Sequence, residues 1–225
     1  MRSYSVIGLG DFGLSVARML TDVQRDGVSA YDSDPVRVDL IKEFVAVAAV
    51  LDATDKAALV AQGVDRDDVV IIAIGSDFES NTLAAMNCKE LGVKLVISRA
   101  LSEEHGRVLR KLGVDRVLYP ERDIAANLIP AVIVPNITRF ARAAPGIGLA
   151  HISLPKGYRD VPLGELGTEG KVRVVAVLKN PPLDAKPGTP PLVDASPQAV
   201  TPVSQDDIII VFGPNEEIHQ LAQSL

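Results

Sequence analysis

Short β-branched runs alternate with stretches whose apolar residues recur every three or four positions through the first half of the chain. Residues 4–7, 28–31, 45–51, 69–74, 94–98 and 116–118 read as strands, and 12–21, 35–44, 54–62, 77–91 and 102–112 read as helices. The helix ends are marked. Gly63, Gly92 and Gly113 stop three of them, each followed by Val. Ser33 or Asp34 can cap the second helix, with Pro35 at its first position. Ser102 caps the fifth, with Glu103 and Glu104 favourably placed in its first turn. Strand and helix in strict alternation predict βαβ units and a parallel six-stranded sheet. The continuous apolar run at 69–74 suits a central strand covered on both faces.

The pattern changes after residue 119. A helical periodicity over 124–143, interrupted by Pro130 and Pro135, predicts a crossover helix beginning at about residue 123, either bent or split into two segments. Composition shifts at Pro145-Gly146-Ile147-Gly148, which predicts a domain boundary there. The first domain then covers residues 1–143 and the second residues 148–225. In the second, 151–154, 173–179 and 207–212 read as strands, 162–166 as a short helix and 215–224 as a closing helix. Residues 180–205 hold seven prolines and read mostly as loop. This describes a small α+β domain.

Composition narrows the partners. A net charge of −6 over 225 residues argues against nucleic acid, which needs a basic surface. Aromatic residues are 4 % of the chain, too few for a base-stacking platform. No apolar run approaches the roughly 20 residues of a membrane span, and the first residues do not read as a signal peptide. The single cysteine, Cys88, excludes an internal disulfide and reads as a buried, inert thiol. The expected location is the cytoplasm.

The chemistry lies at Gly8-Leu9-Gly10-Asp11-Phe12-Gly13, a G-x-G-x-x-G turn between the first strand and the first helix. The first glycine makes the tight turn, the second lets a pyrophosphate approach the backbone, and the third lets helix and strand pack closely. The helix N-terminus then offers unpaired N–H groups to phosphate. Asp32, at the end of the second strand, fits the carboxylate that binds a ribose diol. It favours an unphosphorylated ribose, since a 2′-phosphate would meet a like charge. The fold expected is therefore Rossmann-like and doubly wound. Arg37, one turn into the next helix, can approach the adenine edge or face water. Asp11 is the odd member of the turn, because a carboxylate beside phosphate needs an intervening cation or must point away.

No catalytic set accompanies the turn. His105, His151 and His219 lack Cys or carboxylate partners at metal-ligand spacing, and there is neither a Walker lysine nor a nucleophile elbow. The nucleotide reads as a regulatory ligand. The competing reading, a small NAD-dependent oxidoreductase, needs an acid/base group that the tail does not offer. A redox-sensing transcription factor needs a basic helix-turn-helix, which is also missing.

Several segments together resemble the RCK/KTN domains of cytosolic regulators of Trk/Ktr-type potassium transport. They are Val6–Gly13, Leu51-Asp52-Ala53-Thr54-Asp55, Ile72-Ala73-Ile74-Gly75-Ser76-Asp77, Leu112–Val117 with Tyr119-Pro120-Glu121-Arg122-Asp123, and in the tail Val174–Val177 and Asp206–Gly213. The resemblance implies a non-catalytic regulatory subunit that binds ATP, ADP, AMP or NAD(H). It implies pairing through the crossover helix and an octameric ring beneath a membrane-embedded potassium-conducting subunit. By position, Asp32 would hold the ribose, Ser33 beside it would belong to the nucleotide site, Asp52, Ala53 and Thr54 would line the adenosine side, and Ile74, Gly75 and Ser76 would flank the nucleotide. Arg99 would lie near the phosphates. Glu121 would meet nucleotide and a divalent cation where subunits pair. The tail would bind a small effector such as cyclic di-AMP. ATP-responsive members often carry Arg where this chain has Asp11, which shifts the expectation toward ADP, AMP or NAD(H).

Overall fold

A computed structural model of the chain describes residues 2–24, 27–75, 77–167, 170–179 and 190–225. Two units divide between Pro120 and Glu121.

The first unit runs β1 (Tyr4–Ile7), α1 (Asp11–Val23), β2 (Val28–Asp32), α2 (Pro35–Asp39), β3 (Val47–Val50), α3 (Lys56–Ala61), β4 (Val69–Ile72), α4 (Phe78–Glu90), β5 (Leu95–Arg99), α5 (Glu103–Lys111) and β6 (Arg116–Leu118). Its strands form one parallel sheet in the order β3-β2-β1-β4-β5-β6. This is the doubly wound Rossmann order, in which the direction of winding reverses between β1 and β4. Side chains alternate across the sheet. Val6 and Ala30 pack with Ala17, Val38 and Ile41 on one face, while Ile7, Tyr31 and Ile72 pack with Leu59, Ala84, Ala85, Cys88 and Leu109 on the other. A side chain such as Leu59 or Ile72, fully buried, contributes about 1.5–3 kcal/mol. Burial pushes the Cys88 thiol up to about 12, so it stays protonated and inert, as its apolar setting dictates.

The helix starts follow the side chains at their caps. Asp34, rather than Ser33, caps α2 by accepting the Val36 N–H (2.9 Å). Asp55 caps α3, Asp77 caps α4 and Ser102 caps α5. α2 is shorter than the expected 35–44. After Asp39 the chain tightens into three-residue turns, Leu40 N–H to Arg37 O and Ile41 N–H to Val38 O. These swing Ile41 into the core and turn the chain toward β3.

The second unit corrects the crossover expectation. α6 (Pro120–Ile133) carries Pro130 inside it and then stops. Residues 137–144 are not its continuation but β7 (Ile137–Ala144), paired antiparallel with β8 (Ile147–Ser153). Pro135 cannot donate a helical hydrogen bond, and Ile137 and Phe140 turn inward from an otherwise exposed strand. The expected boundary at Pro145–Gly148 is the turn of this hairpin, with Gly146 at φ +77°. Next come β9 (Val161–Pro162), a 3₁₀ turn at Leu163–Leu166, β10 (Arg173–Lys179), β11 (Leu192–Asp194), β12 (Pro202–Val203), β13 (Ile208–Pro214) and α7 (Asn215–Ser224). An antiparallel sheet in the order β11-β10-β13-β8-β7 packs against α7 through Ile152, Val177, Ile209, Val211, Ile218 and Leu221. Part of the proline-rich stretch read as loop is strand β11 and strand β12; its residues 180–189 lie outside the described residues. Among the described residues no helix is long and apolar enough to cross a membrane.

Candidate functional site: a cleft at the carboxyl ends of the strands

β1 ends at Ile7, and Gly8 reverses the chain with φ +92°, a conformation that side chains other than glycine rarely adopt. Its N–H donates to Tyr31 O at 2.8 Å. Gly10 then stands at the N-cap of α1, where no side chain caps the helix. The first N–H groups of α1 are thus left to whatever anion approaches. Gly13 lies against the Gly8 carbonyl; a Cβ there would come to 1.8 Å from that oxygen.

At the end of β2, Asp32 is 6 % exposed. One carboxylate oxygen accepts the Leu9 N–H (2.6 Å) and faces Arg37 Nη1 at 3.5 Å; the other accepts the Asp34 N–H (2.9 Å). Arg37 therefore turns to the cleft. After β3, Asp52 accepts from both the N–H and the hydroxyl of Thr54, at 2.9 and 2.7 Å. The Thr54 hydroxyl, with its N–H, holds the Asp52 carboxyl below the usual carboxylate range. After β4, Gly75 makes room for Arg99: a Cβ at Gly75 would meet the guanidinium at 2.2 Å. The same guanidinium lies 5.8 Å from the Phe12 ring, within cation–π range.

These groups surround a cavity of about 400 Å³, at the topological switch point where open α/β sheets bind ligands. Gly8, Gly10, Asp32, Ser33, Arg37, Asp52, Ala53, Thr54, Ile74, Gly75 and Arg99 all line it. Four expected residues do not. Asp11 is exposed in the first turn of α1, Phe12 packs into the α1 side of the core, and Gly13 serves the helix–strand contact. Glu121 stands exposed in the first turn of α6, in the second unit. Ser76 lies outside the described residues. Among the described residues no three His, Cys, Asp or Glu side chains gather as a metal site.

Sequence reasoning missed Asp77 and Ser80, which also line the cavity. Asp77 caps α4 through the Glu79 N–H, and the Ser80 hydroxyl donates to it and lowers its pKa. The signal was present, because a glycine between a strand and the next helix repeats the logic of β1 and α1, here with an acidic cap at Asp77.

Beside the cleft, His105 is buried on α5 against the Phe78 ring (4.5 Å). Its Nδ1 accepts the Leu101 N–H (3.3 Å), so Nε2 carries the proton toward Thr82. Burial lowers its pKa. The folded state therefore favours neutral imidazole, and this contribution is complete above the unfolded pKa of about 6.5. It is lost as pH falls from there through the lower folded value. The melting temperature of the chain is expected to drop between pH 7 and pH 5.5 by more than that of His105→Gln. Parallel pH profiles for the two proteins would exclude His105 as the cause.

Comparison with known proteins agrees with this fold. The family model described as the TrkA-N domain matches residues 4–120. A Ktr system potassium uptake protein A of Vibrio alginolyticus is 31 % identical over 100 % of this chain and 98 % of its own length. A Ktr system potassium uptake protein C of Bacillus subtilis (strain 168) is 30 % identical over 96 % of this chain and 94 % of its own. Among solved structures, a GsuK channel bound to NAD shares the fold with a TM-score of 0.52, at 20 % identity over 100 % of this chain and 38 % of that one.

Proposed function

From the premise that this chain belongs to the TrkA-N domain family, we propose that it is the cytosolic regulatory subunit of a potassium uptake system and senses an adenine nucleotide in the cleft of its first unit. The observation that carries the reading is the buried Asp32 carboxylate at the switch-point cavity, between the glycine turn and Arg37. Its relatives are potassium uptake proteins by name, and a structure of the same fold holds NAD.

In this reading Asp32 takes the ribose hydroxyls, Ala53 and Thr54 flank the adenosine, and the α1 N-terminus and Arg99 face the phosphates. The ligand is ADP, AMP, ATP or NAD(H). With Asp11 turned to solvent, no side chain of the glycine turn reaches for a terminal phosphate. Nucleotide exchange shifts a ring between conformers through its different affinity for each, and the ring gates a membrane-embedded potassium-conducting subunit. Glu121 contributes to a divalent cation where two chains meet, and the second unit takes a small effector such as cyclic di-AMP. No step of chemistry is assigned to the bound nucleotide. Calorimetric titration with ATP, ADP, AMP, NAD and NADH tests the reading. At least one should bind well below 1 mM without turnover. If none binds below about 1 mM, worth only about 4 kcal/mol, or if NADH is steadily consumed, the sensor reading is lost.

Pairing is assigned to α6. Ile124, Leu128 and Val132 recur at helical spacing and are 66 %, 56 % and 66 % exposed, an apolar stripe that a second copy of the helix would cover. Leu128→Asp is expected to convert a dimer to a monomer in light scattering, with the circular dichroism unchanged. A variant that stays dimeric removes α6 from the interface.

A further inference from the structure

The sheet-facing side of α4 holds two residues that packing does not require. Ala84, Ala85 and Cys88 are what a helix pressed on a sheet needs. Asn81 and Asn87 beside them are equally buried, at 0 % and 6 % exposure. A buried amide is costly unless its groups are hydrogen-bonded, and the partners of these two are informative.

The Asn81 amide nitrogen donates to Ile74 O (2.8 Å) and Arg99 O (3.1 Å). Its Oδ1 accepts the Ser98 hydroxyl (2.9 Å), which sets the orientation of the amide. The Asn87 nitrogen donates to Ala53 O (3.2 Å) and Thr54 O (2.9 Å). All four carbonyls belong to residues that line the cavity. Ile74 and Arg99 form the rim after β4 and β5, and Ala53 and Thr54 the rim after β3. The two asparagines are six residues apart, about 9 Å along the helix, so one rigid element grips both rims.

We propose that Asn81 and Asn87 are positioning residues of the nucleotide site, through which α4 holds the adenosine-side and phosphate-side rims at one spacing. The inference rests on the nucleotide reading above and deepens it. Each asparagine then governs a different part of the ligand. Asn87 acts on the rim facing adenosine, and Asn81 on the rim facing the phosphates, where it anchors the backbone that carries Arg99.

The test uses the full chain, with adenosine as one probe and the tighter of ADP and NAD as the other. Asn87→Ala is expected to weaken both ligands by about tenfold. Asn81→Ala is expected to weaken the phosphate-bearing ligand by about tenfold and to leave adenosine within about twofold, since one misplaced rim costs about as much as a lost hydrogen bond or two. Ligand-free melting curves are recorded for each. A general softening of the fold would weaken both ligands equally in both variants, and that result overturns the proposal, as does wild-type affinity in both. Where alanine prevents folding, serine at the same position is read with the same two ligands. If the unmodified chain binds neither ligand, the nucleotide reading fails and the proposal with it; binding by the unmodified chain with indifferent variants rejects the asparagines alone.

Discussion

Replacing Gly13 with alanine is expected to lower the melting temperature by about 10 °C or more. The new Cβ would sit 1.8 Å from the Gly8 carbonyl oxygen and 2.9 Å from its carbon. Both atoms are backbone, and Gly8 is itself fixed by its hydrogen bond to Tyr31. Neither can step aside as a side chain would. Relief requires α1 to lift from β1, which opens the contact of Ala17 and Leu9 with Val6 and Ala73. Overpacking of this kind costs about 1–3 kcal/mol and more when main chain is displaced, and in a unit of this size about 3 kcal/mol corresponds to roughly 10 °C. Gly10→Ala is the informative control. Nothing lies within 4 Å of its Cβ, and its φ of −69° suits any residue. Its stability should fall by no more than the roughly 1 kcal/mol that alanine costs at an N-cap, while nucleotide affinity falls, because only a bound phosphate competes for that space. Equal melting temperatures for Gly13→Ala and the parent would refute the packing role.

Asp32→Ala is expected to reduce nucleotide affinity by about 100-fold or more. Hydrogen bonds to a charged group contribute about 1.5–3 kcal/mol each, and a ribose diol offers two. The substitution also releases the Leu9 and Asp34 N–H groups and leaves Arg37 paired with Asp34 alone. Asp32→Asn separates these effects, since it keeps an acceptor for Leu9 and removes the charge. Calorimetric titration measures the first effect, and thermal melting without ligand measures the second. Affinity unchanged in Asp32→Ala would remove the ribose assignment.

Much of the first unit could be read in advance because its punctuation is local. Gly63, Gly92 and Gly113, all at positive φ, close helices whose starts are marked by acidic or hydroxyl caps. The cleft was legible for the same reason: Asp32 and Arg99 end strands, and Thr54 and Gly75 follow shortly after strands. What escaped depended on partners distant in the chain. β7 reads as helix in the sequence because the helical spacing over 124–143 spans both prolines, of which Pro130 does sit inside α6 without ending it. Only pairing with β8 shows that Pro145-Gly146 is a hairpin turn. β10 pairs with β13, some thirty residues on, a neighbour no local pattern announces. Asn81 and Asn87 were invisible for a related reason. In a helical sequence an asparagine reads as solvent-facing, and only the carbonyls above it show why it is buried.

The seat of Arg99 over Gly75 has a consequence for how such sequences diverge. A methyl group at Gly75 would strike the end of a flexible side chain rather than backbone, so the fold would survive the change while the guanidinium lost its place. Selection on stability alone would let Gly75 drift, and selection on the ligand would not. Among descendants of this chain, a substitution at Gly75 should therefore travel with one at Arg99. A lineage in which the pair changes together has altered what its cleft recognises while keeping the architecture around it.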